Sequence, residues 1–91
     1  MLSSIMCMKI TIEKDRNISD YAHWPEWGFD ISTFDWEYRQ EEHCFIIEGE
    51  VTVVGSDNTV KIVPGDYVIF PKGLRCLWEV HKPIRKHYTF K

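Results

Sequence analysis

Long apolar runs are absent from this 91-residue chain. None approaches the roughly 18 residues that a membrane-spanning helix needs, so no transmembrane segment is expected. Basic excess is absent as well: 11 Lys and Arg stand against 14 Asp and Glu, a net charge of −3. That is the reverse of the basic footprint of a nucleic-acid binder. Cysteine is scarce, with Cys7, Cys44 and Cys76 odd in number and widely spaced, so no disulfide framework is expected and the thiols fit a reducing cytoplasm. The first residues carry no basic stretch followed by a long apolar one, unlike a secretory leader. Gly and Pro together number nine and are scattered, which excludes a collagenous or low-complexity chain.

Aromatic side chains are abundant: four Trp, four Tyr and five Phe, in a composition that is 44% hydrophobic. This excludes intrinsic disorder and gives a short chain the bulky core it needs. The length fits one domain over residues 1–91. Residues 1–7 read as a disordered lead-in or as preceding an alternative start at Met8, where the first patterned segment begins. Charge is unevenly spread. Residues 1–60 hold four basic and twelve acidic side chains, and residues 61–91 hold seven basic and two acidic. Either acidic and basic strands pair in one sheet, or a basic rim surrounds a site for a small anion.

Alternating or β-branched runs at 8–13, 29–34, 36–38, 44–47, 51–54, 59–63, 67–70, 76–80 and 85–90 predict eight or nine short strands. Turn signals separate them at 55–58, 64–66 and 71–73, and Pro83 falls between the last two. Residues 23–28 (His-Trp-Pro-Glu-Trp-Gly) read as an aromatic loop. No helix longer than about two turns is predicted, and the pattern is that of an all-β sandwich or barrel.

Two stretches carry a family resemblance. Glu42-His43-Cys44-Phe45-Ile46-Ile47-Glu48-Gly49 resembles the end of the first cupin motif. Gly65-x5-Pro71-Lys72-Gly73-x2-Cys76-x3-Val80 matches the spacing of the second, with Cys76 where that motif has its metal histidine and Val80 where it has asparagine. The Trp-Pro-x-Trp segment, Phe34-Asp35-Trp36, Cys44, the run from Phe70 to Trp78 and Lys86-His87-Tyr88 are similar to the small cupins grouped with the (S)-ureidoglycine aminohydrolase cupin-like family. The resemblance implies an all-β cupin jelly-roll barrel, with its site at the barrel mouth, commonly built as a homodimer. The three-His, one-Glu metal set of cupins falls here on residues without histidine, and the aminohydrolase signature falls on Trp36, Tyr38, Glu42 and Cys76. The resemblance therefore implies the fold and not that activity, and no metal cofactor is expected.

If Glu42 points inward as in cupins, strand alternation brings Cys44 with it, and Cys76, Trp78 and Val80 share the inner face of their own strand. The mouth then holds Glu42, Cys44, Cys76, Tyr38 and Trp36. A carboxylate walled by Trp and Tyr is desolvated, which makes Glu42 a general acid–base candidate, with Tyr38 and Cys76 beside it. Lys72 and Arg75 near the mouth could hold an anionic ligand. Trp24, Trp27 and Trp36 are expected to form a lid on the core or a dimer contact. His43 should point outward, whereas His87 has no clear parity. One alternative is a Zn²⁺ site from Glu42, Cys44 and Cys76 with His87 as a fourth ligand. Another is a non-catalytic homodimeric interaction module. The leading expectation is a small-molecule ligand in the mouth, with no nucleic-acid or membrane partner.

Overall fold

The computed structural model describes residues 7–91. The expectation for the lead-in therefore lies, Cys7 apart, outside the described residues. The strands are β1 (Thr11–Glu13), β2 (Glu26–Phe29), β3 (Ser32–Glu37), β4 (Glu42–Val54), β5 (Thr59–Ile62), β6 (Tyr67–Phe70) and β7 (Arg75–Phe90), with a single 3₁₀ turn at Ile18–Asp20. Among the described residues no helix is long and apolar enough to cross a membrane.

Every pairing is antiparallel, and two long strands organise them. β4 runs 13 residues and β7 runs 16, and they pair along nearly their whole length. The first part of β4 also pairs with β6, which carries β1, while the last part pairs with β5. β3 lies along the first part of β7 and β2 along the last part. Two half-sheets result, β1-β6-β4-β7-β2 and β5-β4-β7-β3, joined by the same two strands.

The join is a bend with a specific cause. Register shifts crowd between Ile46 and Val51, opposite Lys82, Pro83 and Ile84. Gly49 there has φ of 100°, and a Cβ on it would lie 2.4 Å from the Pro83 carbonyl oxygen and 2.7 Å from the Ile84 Cα. Only glycine combines that dihedral with that approach. Pro83 costs no ladder bond because it falls in the bulged stretch. The bend folds the half-sheets over one core. Cys44, Ile46, Val68 and Phe70 from one pack with Val51, Val53, Ile62, Trp78 and Val80 from the other.

Residues read from sequence as separate strands are thus continuous. The expected pieces at 44–47 and 51–54 are one strand, as are those at 76–80 and 85–90, because a bulge bends a ladder without ending it. Half of the expected aromatic loop is strand, since Glu26–Phe29 pairs with Ile84 to His87. The 8–13 strand shortens to Thr11–Glu13 because the Asn58 side-chain amide occupies Ile10, accepting from its N–H and donating to its carbonyl, both at 3.0 Å. The buried Asp66 carboxylate accepts from the Val63 N–H at 3.0 Å and pairs with Lys14. The uneven charge resolves as strand pairing: Arg85 bridges Glu26 and Glu48, Lys61 meets Glu50, and Lys86 meets Glu42. Hydrogen bonding to Arg85 holds the exposed Glu26 below the usual carboxylate range.

Gly49→Ala should cost at least about 1–3 kcal/mol, the usual price of a strained backbone position, lowering Tm by about 4–8 °C per kcal/mol in a domain this small. Thermal unfolding followed by circular dichroism checks it. An unchanged Tm would mean that the bend accommodates a Cβ.

Candidate functional site

Glu42 opens β4, and its alternation with Cys44 and Ile46 turns all three inward. Opposite it in the ladder the inward residues of β7 are Lys86, Tyr88 and Phe90, since Glu42 pairs with Phe90, Cys44 with Tyr88 and Ile46 with Lys86. Lys86 reaches back along this face, and its Nζ donates to Glu42 Oε2 at 2.6 Å. Both side chains are almost fully buried, at 6% and 4% exposure. The ammonium lies 4.9 Å from the Trp78 ring centre, 5.0 Å from Trp27 and 5.8 Å from Phe70. Those rings offer it the negative faces of their π systems, which offsets part of its lost hydration.

Above the pair is a cavity of about 170 Å³. Its walls are Trp27, Phe34, Trp36, Tyr38 and Trp78 on one side and Tyr88 and Phe90 on the other, with Glu42 and Lys86 as the only charged lining among the described residues. The rings brace one another: Phe34 stacks on Trp78, Tyr38 stacks on Phe70 at 4.6 Å, and Trp27 meets Trp78 edge-on. Trp36 and Phe90, each about half exposed, stand at the opening. Burial, then the Glu42 charge, push the Tyr38 phenol well above its ordinary range, so it stays a neutral donor.

The cysteines stand behind this wall. Cys44 is fully buried in the core, and its thiol is pushed up to about 12 by burial, partly offset by Lys86. Cys76 is buried against β3, its Sγ 3.7 Å from the Trp36 carbonyl oxygen, with its thiol pushed up to about 11 by burial. Among the described residues the buried Trp78 indole N–H has no oxygen or nitrogen partner, and its contact with the Cys76 sulfur draws that thiol partly back down. Both thiols are neutral near pH 7, and neither lines the cavity.

Other expected site residues lie elsewhere. His87 is on the opposite face of β7, its Nδ1 at 3.0 Å from the Trp24 carbonyl oxygen. Lys72 is exposed in its turn, and Arg75 is exposed beside Glu37. His43 does point away from the barrel interior, but under cover. It meets the Tyr67 hydroxyl at 2.6 Å, next to an outer aromatic cluster of Tyr21, Phe45 and Tyr67 packed by Trp24. Trp24 belongs to that outer cover, whereas Trp27 and Trp36 line the cavity. Lys86 is the residue that sequence reasoning missed. Its signal was the basic run in the last strand, whose parity the bulge at Pro83 obscured.

The EutQ-like cupin domain profile matches residues 18–88. The chain belongs to this cupin family. It is similar to a DUF861 family protein from Thermotoga maritima, at 42% identity and a TM-score of 0.85, covering 91% of this chain and all of that one. Two further structures share the fold. The EutQ protein of Clostridium difficile has 18% identity and a TM-score of 0.66, over 89% of this chain and 66% of that one. A putative ethanolamine utilization protein Q from Salmonella typhimurium LT2 has 20% identity and the same TM-score, over 89% and 68%. None of the curated proteins compared with it matches. The two half-sheets are accordingly the faces of a jelly-roll barrel, and the cavity is its mouth.

The cupin metal positions of this barrel do not fit a divalent ion. The Trp36 indole offers only a donor, Cys76 is held as a neutral thiol, and the Glu42 carboxylate already accepts from an ammonium. The set weighed for Zn²⁺ does not gather either: Cys44 and Cys76 sit behind the wall, His87 faces away, and no group of three or more His, Cys, Asp or Glu converges among the described residues. In this cupin the cation beside the glutamate is a lysine.

Breaking the pair from one side should be costly. Lys86→Met leaves a buried carboxylate without a counter-charge and is expected to lose about 3–5 kcal/mol, while Glu42→Gln with Lys86→Met together should lose much less. Urea unfolding of both variants measures the difference. Equal losses would show that the pair is not electrostatically coupled.

Proposed function

We propose that this cupin binds a small, flat, uncharged molecule in its barrel mouth, anchored by Glu42 and Lys86. The observation that carries the reading is the buried ion pair at the bottom of a cavity whose other walls are aromatic. Aromatic faces favour a flat body, and a donor beside an acceptor favours a polar edge carrying both functions. A volume near 150 Å³ admits a benzene-sized molecule, which sets the scale of the ligand. The pair is neutral as a unit, and Lys72 and Arg75 lie away from it, so the reading favours an uncharged ligand over an anionic one. Free thiols throughout support a reducing, cytoplasmic setting.

A thermal-shift screen tests the reading, because a ligand that binds only the folded state raises Tm. Flat neutral compounds of about ten heavy atoms should raise it and quench Trp fluorescence, and the shift should disappear when Trp36 and Tyr38 are both replaced by Ala. A response confined to anionic compounds would reject it.

The homodimer reading is supported by the apolar side chains that remain exposed along β2, the turn after it, β3 and the end of β7, namely Phe29, Ile31, Trp36 and Phe90. Light scattering at micromolar concentration should give twice the chain mass of 10.9 kDa. A monomer mass would count against the dimer without touching the site.

A further inference from the structure

From the placement of Lys86 against Glu42 we infer that the mouth catalyses proton transfer at carbon, on a neutral carbonyl compound whose C–H lies next to the carbonyl. The inference rests on the binding reading above and adds chemistry to it.

The argument starts from charge. The cavity holds one cation, caged by Trp27, Phe70 and Trp78, and one anion against it at 2.6 Å. A buried cation needs an anion close by, and a second anion in the same apolar cavity would lack a counter-charge of its own. Reactions that keep that count constant are the ones the site favours. Proton abstraction from a neutral carbon acid does so. Glu42 takes the proton, the C–H electron pair becomes the C=C bond, and the carbonyl π electrons move to oxygen. The carboxylate becomes a neutral carboxyl, and the negative charge now lies on an enolate oxygen. Lys86 keeps its proton and exchanges one anionic partner for another. Once Glu42 has swapped that proton for one from solvent, returning it to the same carbon exchanges the hydrogen, and returning it to a neighbouring carbon isomerises the compound. No oxidant, reductant or metal enters the balance.

The geometry supplies what each step asks. Glu42 accepts from Lys86 through Oε2, which leaves Oε1 free of Lys86 to face the substrate. An ammonium carries three donors, of which this contact uses one. A donor already in place where the charge develops is the usual source of such stabilisation. Tyr38, lining the same cavity and kept neutral by burial and by Glu42, hydrogen-bonds the Glu42 carboxylate and helps to hold the base in place. A carboxylate-bearing substrate would bring a second anion into a cavity with one cation, which separates this class from anionic ligands.

The probe is 2-indanone, a flat neutral ketone with acidic C–H groups on both sides of its carbonyl. Exchange of those hydrogens in D2O is followed by proton NMR, and binding is read in the same tubes from saturable shifts and line broadening. The reference is the pair-replaced variant Glu42→Gln/Lys86→Met, which keeps the cavity shape and holds no uncompensated charge. The wild type should bind the ketone and exchange it at least about tenfold faster than the reference, a modest share of the 10²–10⁴-fold of general acid–base catalysis. Lys86→Arg, with the charge kept but the donor moved, should retain the fold and lose most of the gain. Saturable binding with exchange no faster than in the reference would overturn the inference and leave the binding reading intact. An absence of saturable binding would overturn both.

Discussion

A carboxylate and an ammonium taken out of water together lose hydration that their attraction only partly returns. In this cupin the Glu42–Lys86 pair meets that condition with a 2.6 Å contact and three aromatic rings around the ammonium. Much of the barrel mouth follows from it. The rings that cage Lys86 are also the walls or floor of the cavity, and they hold one another by stacking. Removing the cation would leave the carboxylate uncompensated at the bottom of an apolar cup. The pair thus ties stability and chemistry to the same few side chains, and the site cannot drift far without the core drifting with it.

The pair in turn depends on backbone register. Glu42 is at the start of β4, and Lys86 lies four positions short of the residue opposite it in the ladder, Phe90. They meet because Lys86 is long enough to run along the inner face past Tyr88. A slip of one residue in β7 would send Lys86 outward and bring His87 inward. What fixes the register is the bend, where Gly49 and Pro83 face each other and the two long strands bulge together. Below the bend β4 and β7 are paired by Val51 with Val80 and Val53 with Trp78, and above it by Cys44 with Tyr88. One glycine far from the cavity therefore decides which basic side chain enters it.

Much of the fold was legible in the chain. The β-branched and aromatic runs, the turns at Pro64-Gly65-Asp66 and Pro71-Lys72-Gly73, and the two motif-like spacings all point to an antiparallel barrel, and the inward facing of Glu42 followed from its place in the cupin-like motif, which strand alternation extends to Cys44. The acidic wall of the site was readable because nothing interrupts β4 between Glu42 and Ile46. Merged strands were not, because Gly49 and Pro83 are strand breakers taken singly and bulge residues only when they face each other. Trp27 was hidden for a similar reason. Pro25 and Gly28 flank it like loop residues, and its strand character comes from pairing with Lys86 across the sheet.

The basic half of the site marks where reading by local pattern ends. In Lys82-Pro83-Ile84-Arg85-Lys86-His87 three cations and a histidine crowd six positions, and a bulge among them can carry alternation over or reverse it. Trp78 and Val80 before the bulge and Ile84 and Lys86 after it are all buried, whereas Lys82 between them is exposed. The bulge could equally have shifted that parity, and nothing in the six residues says that it does not. Charge reinforces the register that the bend sets. Glu42 is turned to the interior by β4, and a buried carboxylate without a cation beside it is costly. Arg85 is held outside between Glu26 and Glu48, and Lys86 pairs with Glu42 inside. The surface pairs of β7 and its buried pair thus agree: the carboxylates on β2 and β4 meet the cations of the last strand in the one register that also puts a positive charge in the mouth.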